Sequence, residues 1–149
     1  MDGENMGQAR EVMDRVTEAV FVTKDRKAAE QCYAVDCVGI TPDAGRVTGR
    51  EAVVDYTMGF VDAFPDLTYE YVAKHESGDC AIDEGLFRGT NTAPLRLPNG
   101  DTIPATGKQV TARGCDICQV RDGVIVEHRF YYDQVELLSR LGLLPDTAG

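Results

Sequence analysis

The chain has 149 residues, of which 43% are hydrophobic and 27% charged, a composition typical of one globular domain. Its 25 acidic and 15 basic residues give a formal net charge of −10. This charge repels a phosphate backbone, which argues against nucleic acid as a partner. No apolar run approaches the roughly 20 residues of a membrane-spanning helix, and the polar start of the chain does not resemble a secretion signal. We therefore expect one domain over residues 1–149, located in the cytoplasm, with no membrane partner.

The first half of the chain is predicted to be mainly helical. Apolar residues recur with a helical period, Asp25 is a suitable N-cap for a second helix, and Pro65 ends a third. The predicted elements are helices over residues 8–23 and 26–33, a short strand over 35–40, a loop over 41–45 and a helix over 49–64.

Beyond Pro65 the apolar period changes to two, which predicts strands. Turn signals at residues 77–79, 99–100 and 122–123 divide this half of the chain. The predicted elements are strands over residues 68–75, 80–90, 108–120 and 124–133, a loop or small hairpin over 95–106 and a closing helix over 135–141.

This order of elements, with helices first and an antiparallel sheet afterwards, predicts an α+β fold. The economical packing is a curved antiparallel sheet with a mixed edge, wrapped around the N-terminal helices as a cone-shaped barrel with an internal pocket. The outer face of the sheet would be free for self-association, because a flat apolar face in water is unfavourable.

Cys115 and Cys118 have the spacing of a redox or zinc motif, but they lie inside a predicted strand. Residues three apart on a strand point to opposite faces, so the two sulfurs should diverge. We expect structural cysteines and no metal site.

Three predicted strands each carry one ionisable residue between apolar neighbours two positions away: Glu84, Asp116 and His128. Burying an unpaired charge is costly, so this pattern favours a pocket. We expect Asp116 or Asp133 to act as a base or to orient His128, which donates or accepts the proton, with Glu84 tuning the group. The alternative is that Glu84 and Asp116 face outward and pair with arginines.

Asp133 has a competing role, because it directly precedes the last predicted helix and is well placed as its N-cap. Strict alternation also turns it away from His128. Aromatic residues are expected to form the walls of the pocket, some with a hydroxyl that could donate. These are Phe130, Tyr132, Tyr33, Tyr56 and Phe64.

Motifs along the chain resemble one known family. They are Gly-Arg-Glu-Ala-Val at residues 49–53, Phe-Pro-Asp-Leu at 64–67, Gly-Thr-Asn-Thr at 89–92, Ala-Thr-Gly-Lys-Gln-Val at 105–110, Gly-Cys-Asp-Ile at 114–117, Asp-Gly-Val-Ile-Val-Glu-His at 122–128 and Tyr-Asp-Gln at 132–134, followed by Leu-Leu-Ser-Arg-Leu-Gly-Leu-Leu-Pro. Over about residues 8–145 the chain resembles the SnoaL-like polyketide cyclases, whose superfamily shares the cone fold of nuclear transport factor and ketosteroid isomerase.

The resemblance implies a cone-shaped pocket, a homodimer formed through the sheet, and acid/base chemistry without a cofactor on a small apolar substrate. Two positions depart from many relatives. Asn91, expected to contact substrate, stands where they have histidine, and Phe130 stands where they have aspartate. If that aspartate is their base, this chain must use another carboxylate or run a different reaction.

We therefore expect a polyketide cyclase or isomerase of bacterial secondary metabolism. The alternatives are an epoxide hydrolase or hydroxylase-like relative of the same fold, and a dimeric module that binds a small molecule without catalysis.

Overall fold

The structure of the chain, a computed structural model, describes residues 7–97 and 100–144. Its helices are α1 (Gln8–Thr17), α2 (Arg26–Glu30), α3 (Arg50–Ala63) and α4 (Gln134–Arg140), and a π-helical segment, Glu18–Val22, directly follows α1. None of the described helices has the length and apolar character needed to cross a membrane.

Within the described residues, six strands form the main sheet and two short ones pair in a separate two-stranded sheet. The strands are β1 (Tyr33–Thr41), β2 (Gly45–Thr48), β3 (Thr68–Ser77), β4 (Cys80–Thr90), β5 (Leu95–Arg96), β6 (Thr102–Ile103), β7 (Gln109–Arg121) and β8 (Val124–Tyr132). The order in the main sheet is β2-β1-β8-β7-β4-β3. All neighbours are antiparallel except β1 and β8, which are parallel.

The predicted α+β class and the curved sheet with a mixed edge are confirmed. The barrel does not close, because β2 and β3 remain as separate edges. β2 was not predicted: the chain turns after Thr41 and pairs back on β1, where Thr41 lies opposite Gly45. The first predicted helix is divided into α1 and the π-helical segment.

The helices pack against the inner face of the sheet and form the core. Val12 of α1, Val53 and Val54 of α3, and Ile125 of β8 are each at most 1% exposed. Burial of one such side chain contributes about 1.5–3 kcal/mol to folding, so this layer holds the helices over the sheet.

Two inner-face glycines allow aromatic rings to lie against the strands. A Cβ at Gly85 would come within 2.3 Å of Cζ of Tyr69, and a Cβ at Gly114 within 2.3 Å of Cε2 of Phe87. A larger residue at either position would displace the ring that lies over it. The rings of Tyr69 and Phe87 therefore contact each other over β4 and β7, with their centroids 5.4 Å apart.

A register shift in the β7–β8 ladder sets which side chains of β8 face inward. Gln119 pairs with Glu127, but Val120 pairs with Ile125, so Val126 is an extra residue. Strict alternation along the strand predicted for residues 124–133 would place Val126 on the face of His128, and the extra residue breaks that alternation. Ile125 takes the inner position and is fully buried.

Candidate active site

A cavity lies between the helices and the inner face of the sheet. Its walls are almost entirely apolar, and they include Met13 and Val16 of α1, Val20 and Phe21 of the π-helical segment, Phe60 and Phe64 at the end of α3, Phe87 of β4, Phe130 and Tyr132 of β8, and Leu137 of α4. The cavity gives the centre of a water molecule about 90 Å³ of space, whereas one water needs roughly 10–15 Å³. It therefore has room for more than a single solvent molecule.

A chain of three hydrogen-bonded side chains lines this cavity. His128 lies on β8, with Nε2 3.0 Å from Oδ1 of Asp116 on β7 and Nδ1 2.7 Å from the hydroxyl of Tyr33 at the start of β1. The imidazole is 5% exposed and stacks on the ring of Phe130, with their centroids 3.7 Å apart. The imidazole is thus held on three sides.

The chemistry of the partners assigns the protons in this chain. A carboxylate only accepts, so Nε2 of His128 donates to Asp116. In the neutral imidazole Nδ1 then has no proton and accepts from Tyr33. Complete burial raises the pKa of Tyr33 well above its ordinary value, so the phenol keeps its proton. The side chain of Asp116 remains 17% exposed and lines the cavity. Asp116 is therefore the group of the three that can take a proton from a ligand.

A second carboxylate lies directly opposite the first. Asp83 of β4 pairs with Asp116 in the β4–β7 register and is 1% exposed. Its Oδ1 accepts from Nη2 of Arg10 on α1 at 2.6 Å. Burial raises the pKa of Asp83, and Arg10 opposes this effect. Asp83 does not line the cavity, so this carboxylate belongs to the packing of α1 on the sheet.

The hydroxyls of Tyr56 and Tyr132 form a second hydrogen-bonded group beside the cavity. The hydroxyl of Tyr56 on α3 donates to Oδ1 of Asp43 at 2.7 Å and lies 2.8 Å from the hydroxyl of Tyr132. Burial raises the pKa of both phenols. Tyr132 lines the cavity. Tyr56 does not line the cavity, and its ring contacts the ring of Phe130.

The prediction that Glu84 faces the pocket is wrong. Glu84 is exposed and points to the outer face of the sheet, while its neighbours Asp83 and Gly85 are buried. The error arose because the outer face of β4 carries the larger aliphatic residues, Ile82 and Leu86, and the inner face carries glycines. Glu84 faces outward, as the alternative stated, but two of the arginines near it pair with other carboxylates, Arg88 with Glu70 and Arg113 with Glu136.

Asp133 caps α4, as one of its two predicted roles required. Its Oδ1 accepts from the backbone N–H of Glu136 at 3.1 Å, and Asp133 itself is exposed. It does not line the cavity. The structure therefore brings Asp116 and His128 together but leaves Asp133 outside the group.

Asn91 is buried away from the cavity and organises the loop that follows β4. Its side-chain nitrogen donates to the carbonyls of Ala63 and Ala93, and its Oδ1 accepts from the backbone and hydroxyl of Thr106. The amide group is fully occupied by these bonds. The prediction that Asn91 contacts substrate is not supported by this position.

Several residues around the site were not found from the sequence. Arg10 and Asp83 are 73 positions apart, and only the fold brings them together. Phe21 and Leu137 line the cavity from segments with a helical period, where apolar residues are expected in a core. Of the predicted wall residues, Phe64, Phe130, Tyr132 and Tyr33 line the cavity.

The cysteines of the Cys115–Cys118 motif diverge, as predicted for a strand. Cys118 is fully buried on the inner face, and Cys115 is partly exposed on the outer one. Among residues 7–97 and 100–144, no three His, Cys, Asp or Glu side chains are grouped closely enough to hold a metal ion.

Solved structures share this architecture across nearly the whole chain. A proposed SnoaL-like polyketide cyclase from Jannaschia sp. CCS1 is 18% identical, with a TM-score of 0.80 over 93% of this chain and 94% of that one. AclR, a proposed hydroxylase from Streptomyces galilaeus, is 23% identical, with a TM-score of 0.77 over 95% and 89%. IdmH, a proposed polyketide cyclase from Streptomyces antibioticus, is 26% identical, with a TM-score of 0.72 over 91% and 99%. Such similarity establishes the cone fold.

The sequence itself carries the signature of one family. No curated protein matches the chain. The SnoaL-like domain matches residues 13–128, a segment that includes β4, β7 and most of β8 and that ends at the imidazole of the hydrogen-bonded group. The chain therefore belongs to the SnoaL-like domain family.

Proposed function

We propose that the protein is an acid/base enzyme that uses its own side chains on a small apolar, polyketide-like metabolite, as a cyclase or isomerase of bacterial secondary metabolism. The observation that carries this proposal is the hydrogen-bonded chain from Tyr33 through His128 to Asp116 at the wall of an apolar cavity. Relatives of the same fold described as polyketide cyclases support the substrate class.

Asp116 is the base in this proposal. Its carboxylate takes a proton from a carbon next to a carbonyl of the ligand, and the electron pair of the C–H bond moves to form an enolate. The enolate carbon then attacks a second carbonyl of the same molecule, which closes a ring and leaves an alkoxide, and the alkoxide takes the proton back from Asp116. In an isomerase the proton returns to a different carbon. An apolar cavity strengthens these steps, because the carboxylate is poorly solvated there.

His128 and Tyr33 position the base. The Nε2–H of His128 holds one oxygen of Asp116, and the phenol of Tyr33 fixes the imidazole in the tautomer that can do so. The stacked ring of Phe130 prevents the imidazole from turning. The base therefore has a fixed direction before the ligand arrives, which is how positioning contributes to rate.

The test is base-catalysed exchange of hydrogen for deuterium. The probe is 2-tetralone, an apolar bicyclic ketone with exchangeable hydrogens next to its carbonyl, dissolved in D₂O and followed by ¹H NMR. We expect the protein to accelerate the exchange, and Asp116→Asn to remove about 10²–10⁴-fold of that acceleration. Glu84→Gln is the matched control: it removes the same charge from the adjacent strand, but on the outer face, and should leave the rate unchanged.

Other outcomes separate the alternatives. Exchange that survives Asp116→Asn would contradict the assigned base. For a hydrolase, a probe epoxide would incorporate ¹⁸O from labelled water and the ketone would not exchange. Binding of the ketone without any exchange would favour the non-catalytic module.

We also propose that two copies associate through the outer face of the sheet. In the single chain this face leaves Ile82 and Ile117 only half-buried, and they pair with each other across β4 and β7. Sedimentation should give a dimer, and Ile117→Glu should give a monomer, whereas Val135→Glu, an exposed position on α4, should not. A monomer in the unmodified protein would contradict this arrangement.

A further inference from the structure

The hydroxyl of Tyr132 belongs to a short relay that ends on a carboxylate. Asp43, on the turn between β1 and β2, accepts from the hydroxyl of Tyr56 at 2.7 Å. The hydroxyl of Tyr56 lies 2.8 Å from that of Tyr132. Of the two phenols, Tyr132 is the one that lines the cavity.

Counting protons directs both phenols toward the carboxylate. A carboxylate accepts and does not donate, and each phenol has one proton. The proton of Tyr56 is used by Asp43, and the proton of Tyr132 is used by the hydroxyl of Tyr56 or by Asp43 itself. Tyr132 thus has no proton left for the cavity and offers a ligand only a lone pair.

The β7–β8 register gives the spacing along the strands between Tyr132 and the proposed base, Asp116. Tyr132 lies opposite Gly114, and Phe130 lies opposite Asp116, so the two inward positions are one alternation apart, about 7 Å along the strands. A ligand of two or three fused rings can reach both groups at once.

We propose that the cavity selects a ligand that carries a hydroxyl group, a phenol or an alcohol, which donates a hydrogen bond to the hydroxyl oxygen of Tyr132 while the reacting part lies at Asp116. A carbonyl or an ether at that position finds no donor. This inference rests on the proposed function for the placement of the reacting part, and it assigns Tyr132, with Asp43 and Tyr56 behind it, as the group that determines specificity.

The experiment measures binding, so that turnover is not needed. The probes are 2-naphthol and 2-fluoronaphthalene, which have similar shape but differ in that only the hydroxyl donates. Their own fluorescence reports binding, and the chain contains no tryptophan to interfere. The measured quantity is the ratio of the two dissociation constants, compared between variants so that the different hydration of the probes cancels.

Tyr132→Phe should weaken the binding of 2-naphthol relative to 2-fluoronaphthalene by about 3- to 10-fold, the value of one hydrogen bond. Asp43→Ala should reduce the preference in the same direction, because without the carboxylate the two phenol protons no longer have a fixed direction. Asp62→Ala is the matched control, since it removes an equal charge from an exposed position on α3 and should leave the ratio unchanged. Circular dichroism checks that each variant is folded.

Each remaining outcome counts against the proposal in a defined way. A ratio that Tyr132→Phe does not change overturns the inference. A ratio that responds to Tyr132→Phe but not to Asp43→Ala overturns the direction assigned to the relay. If Asp116→Asn removes the preference instead, the hydroxyl binds at the base, and the proposed function stands without this inference. If neither probe binds, both fail.

Discussion

Asp83 and Asp116 lie opposite each other on β4 and β7 and face the same side of the sheet, but they are held by different partners. Asp83 is 1% exposed and is paired with the guanidinium of Arg10. Asp116 is paired with the imidazole of His128 and keeps part of its surface in the cavity. The nature of the partner and the access to the cavity, not the strand position, separate these two residues.

The difference has a physical basis. A charged guanidinium neutralises the carboxylate of Asp83, and α1 covers it. The imidazole of His128 donates one hydrogen bond to Asp116, and the carboxylate keeps part of its surface in the cavity, where a ligand can reach it. A carboxylate that stabilises the fold thus lies next to one that can accept a proton, and substitutions should separate the two effects.

The largest expected effects differ between the two carboxylates: the substitution at Asp116 should lower catalysis, and the substitution at Asp83 should lower stability. Asp116→Asn should lower the deuterium exchange of 2-tetralone by about 10²–10⁴-fold. It should change the free energy of unfolding by less than about 1 kcal/mol, because asparagine retains an oxygen that accepts from His128. Asp83→Asn should lower the free energy of unfolding by about 1–3 kcal/mol and leave the exchange rate within a few-fold. Similar exchange rates in the two variants would contradict the comparison.

The sequence was sufficient for most of the fold. The change from a helical period to a period of two after Pro65 located the sheet, and β4 was predicted with the bounds that the structure gives, Cys80–Thr90. The edge strand β2 was missed, because the four residues Gly45–Thr48 have no apolar alternation of their own and pair with β1 through backbone hydrogen bonds.

The site was predictable where alternation is regular and not where it fails. Asp116 and His128 were placed correctly on inner faces. Glu84 was not, because Gly85 must accommodate the ring of Tyr69 and so contributes no apolar signal to its face. The partners of these residues, Tyr33 on β1 and Arg10 on α1, depend on which strand lies beside β8 and which helix covers β4, and no local pattern in the sequence carries that information.

The ion pair of Asp83 should give the largest loss of stability. Arg10→Ala leaves a carboxylate buried without a counter-charge, and we expect it to lower the free energy of unfolding by about 3–5 kcal/mol. Urea unfolding measures this loss. Arg88→Ala is the matched control, because Arg88 pairs with Glu70 at side-chain exposures of 52% and 61%, and such surface pairs contribute about 0–1 kcal/mol.

A double variant tests the reason for that loss. Removing Asp83 as well, in Arg10→Ala/Asp83→Ala, removes the uncompensated charge. The double variant should therefore lose less stability than the sum of the two single variants. Simple additivity would mean that Arg10 acts through its packing and through its bonds to Asp14 and to the carbonyls of β3 and β4.

Removing the hydroxyl that donates to His128 should lower the free energy of unfolding by a smaller amount. Tyr33→Phe leaves Nδ1 of the buried His128 without its donor, and we expect a loss of about 1–3 kcal/mol in the free energy of unfolding. Tyr131→Phe removes a hydroxyl from a side chain that is 50% exposed and should change stability by less than about 0.5 kcal/mol. In the unmodified protein, ¹⁵N chemical shifts of His128 should show the proton on Nε2. A proton on Nδ1 would contradict the assigned direction of the chain.

The smallest effect concerns the pH dependence of stability. A buried and an exposed carboxylate should change the free energy of unfolding in opposite directions as pH rises. Burial raises the pKa of Asp83, so its contribution to stability is present below the unfolded pKa, about 3.9, and is lost as pH rises through the folded pKa. The backbone N–H and hydroxyl of Thr90 lower the pKa of the exposed Asp66. The contribution of Asp66 is therefore present above about pH 3.9 and is lost as pH falls through the folded pKa.

Urea unfolding of Asp83→Asn and Asp66→Asn, each compared with the unmodified protein between about pH 3 and pH 7, measures these two contributions, because all other titrating groups cancel in each difference. For each variant, the difference is the free energy of unfolding of the unmodified protein minus that of the variant. As pH rises, this difference should fall for Asp83→Asn and rise for Asp66→Asn. Equal slopes would mean that Arg10 outweighs burial at Asp83.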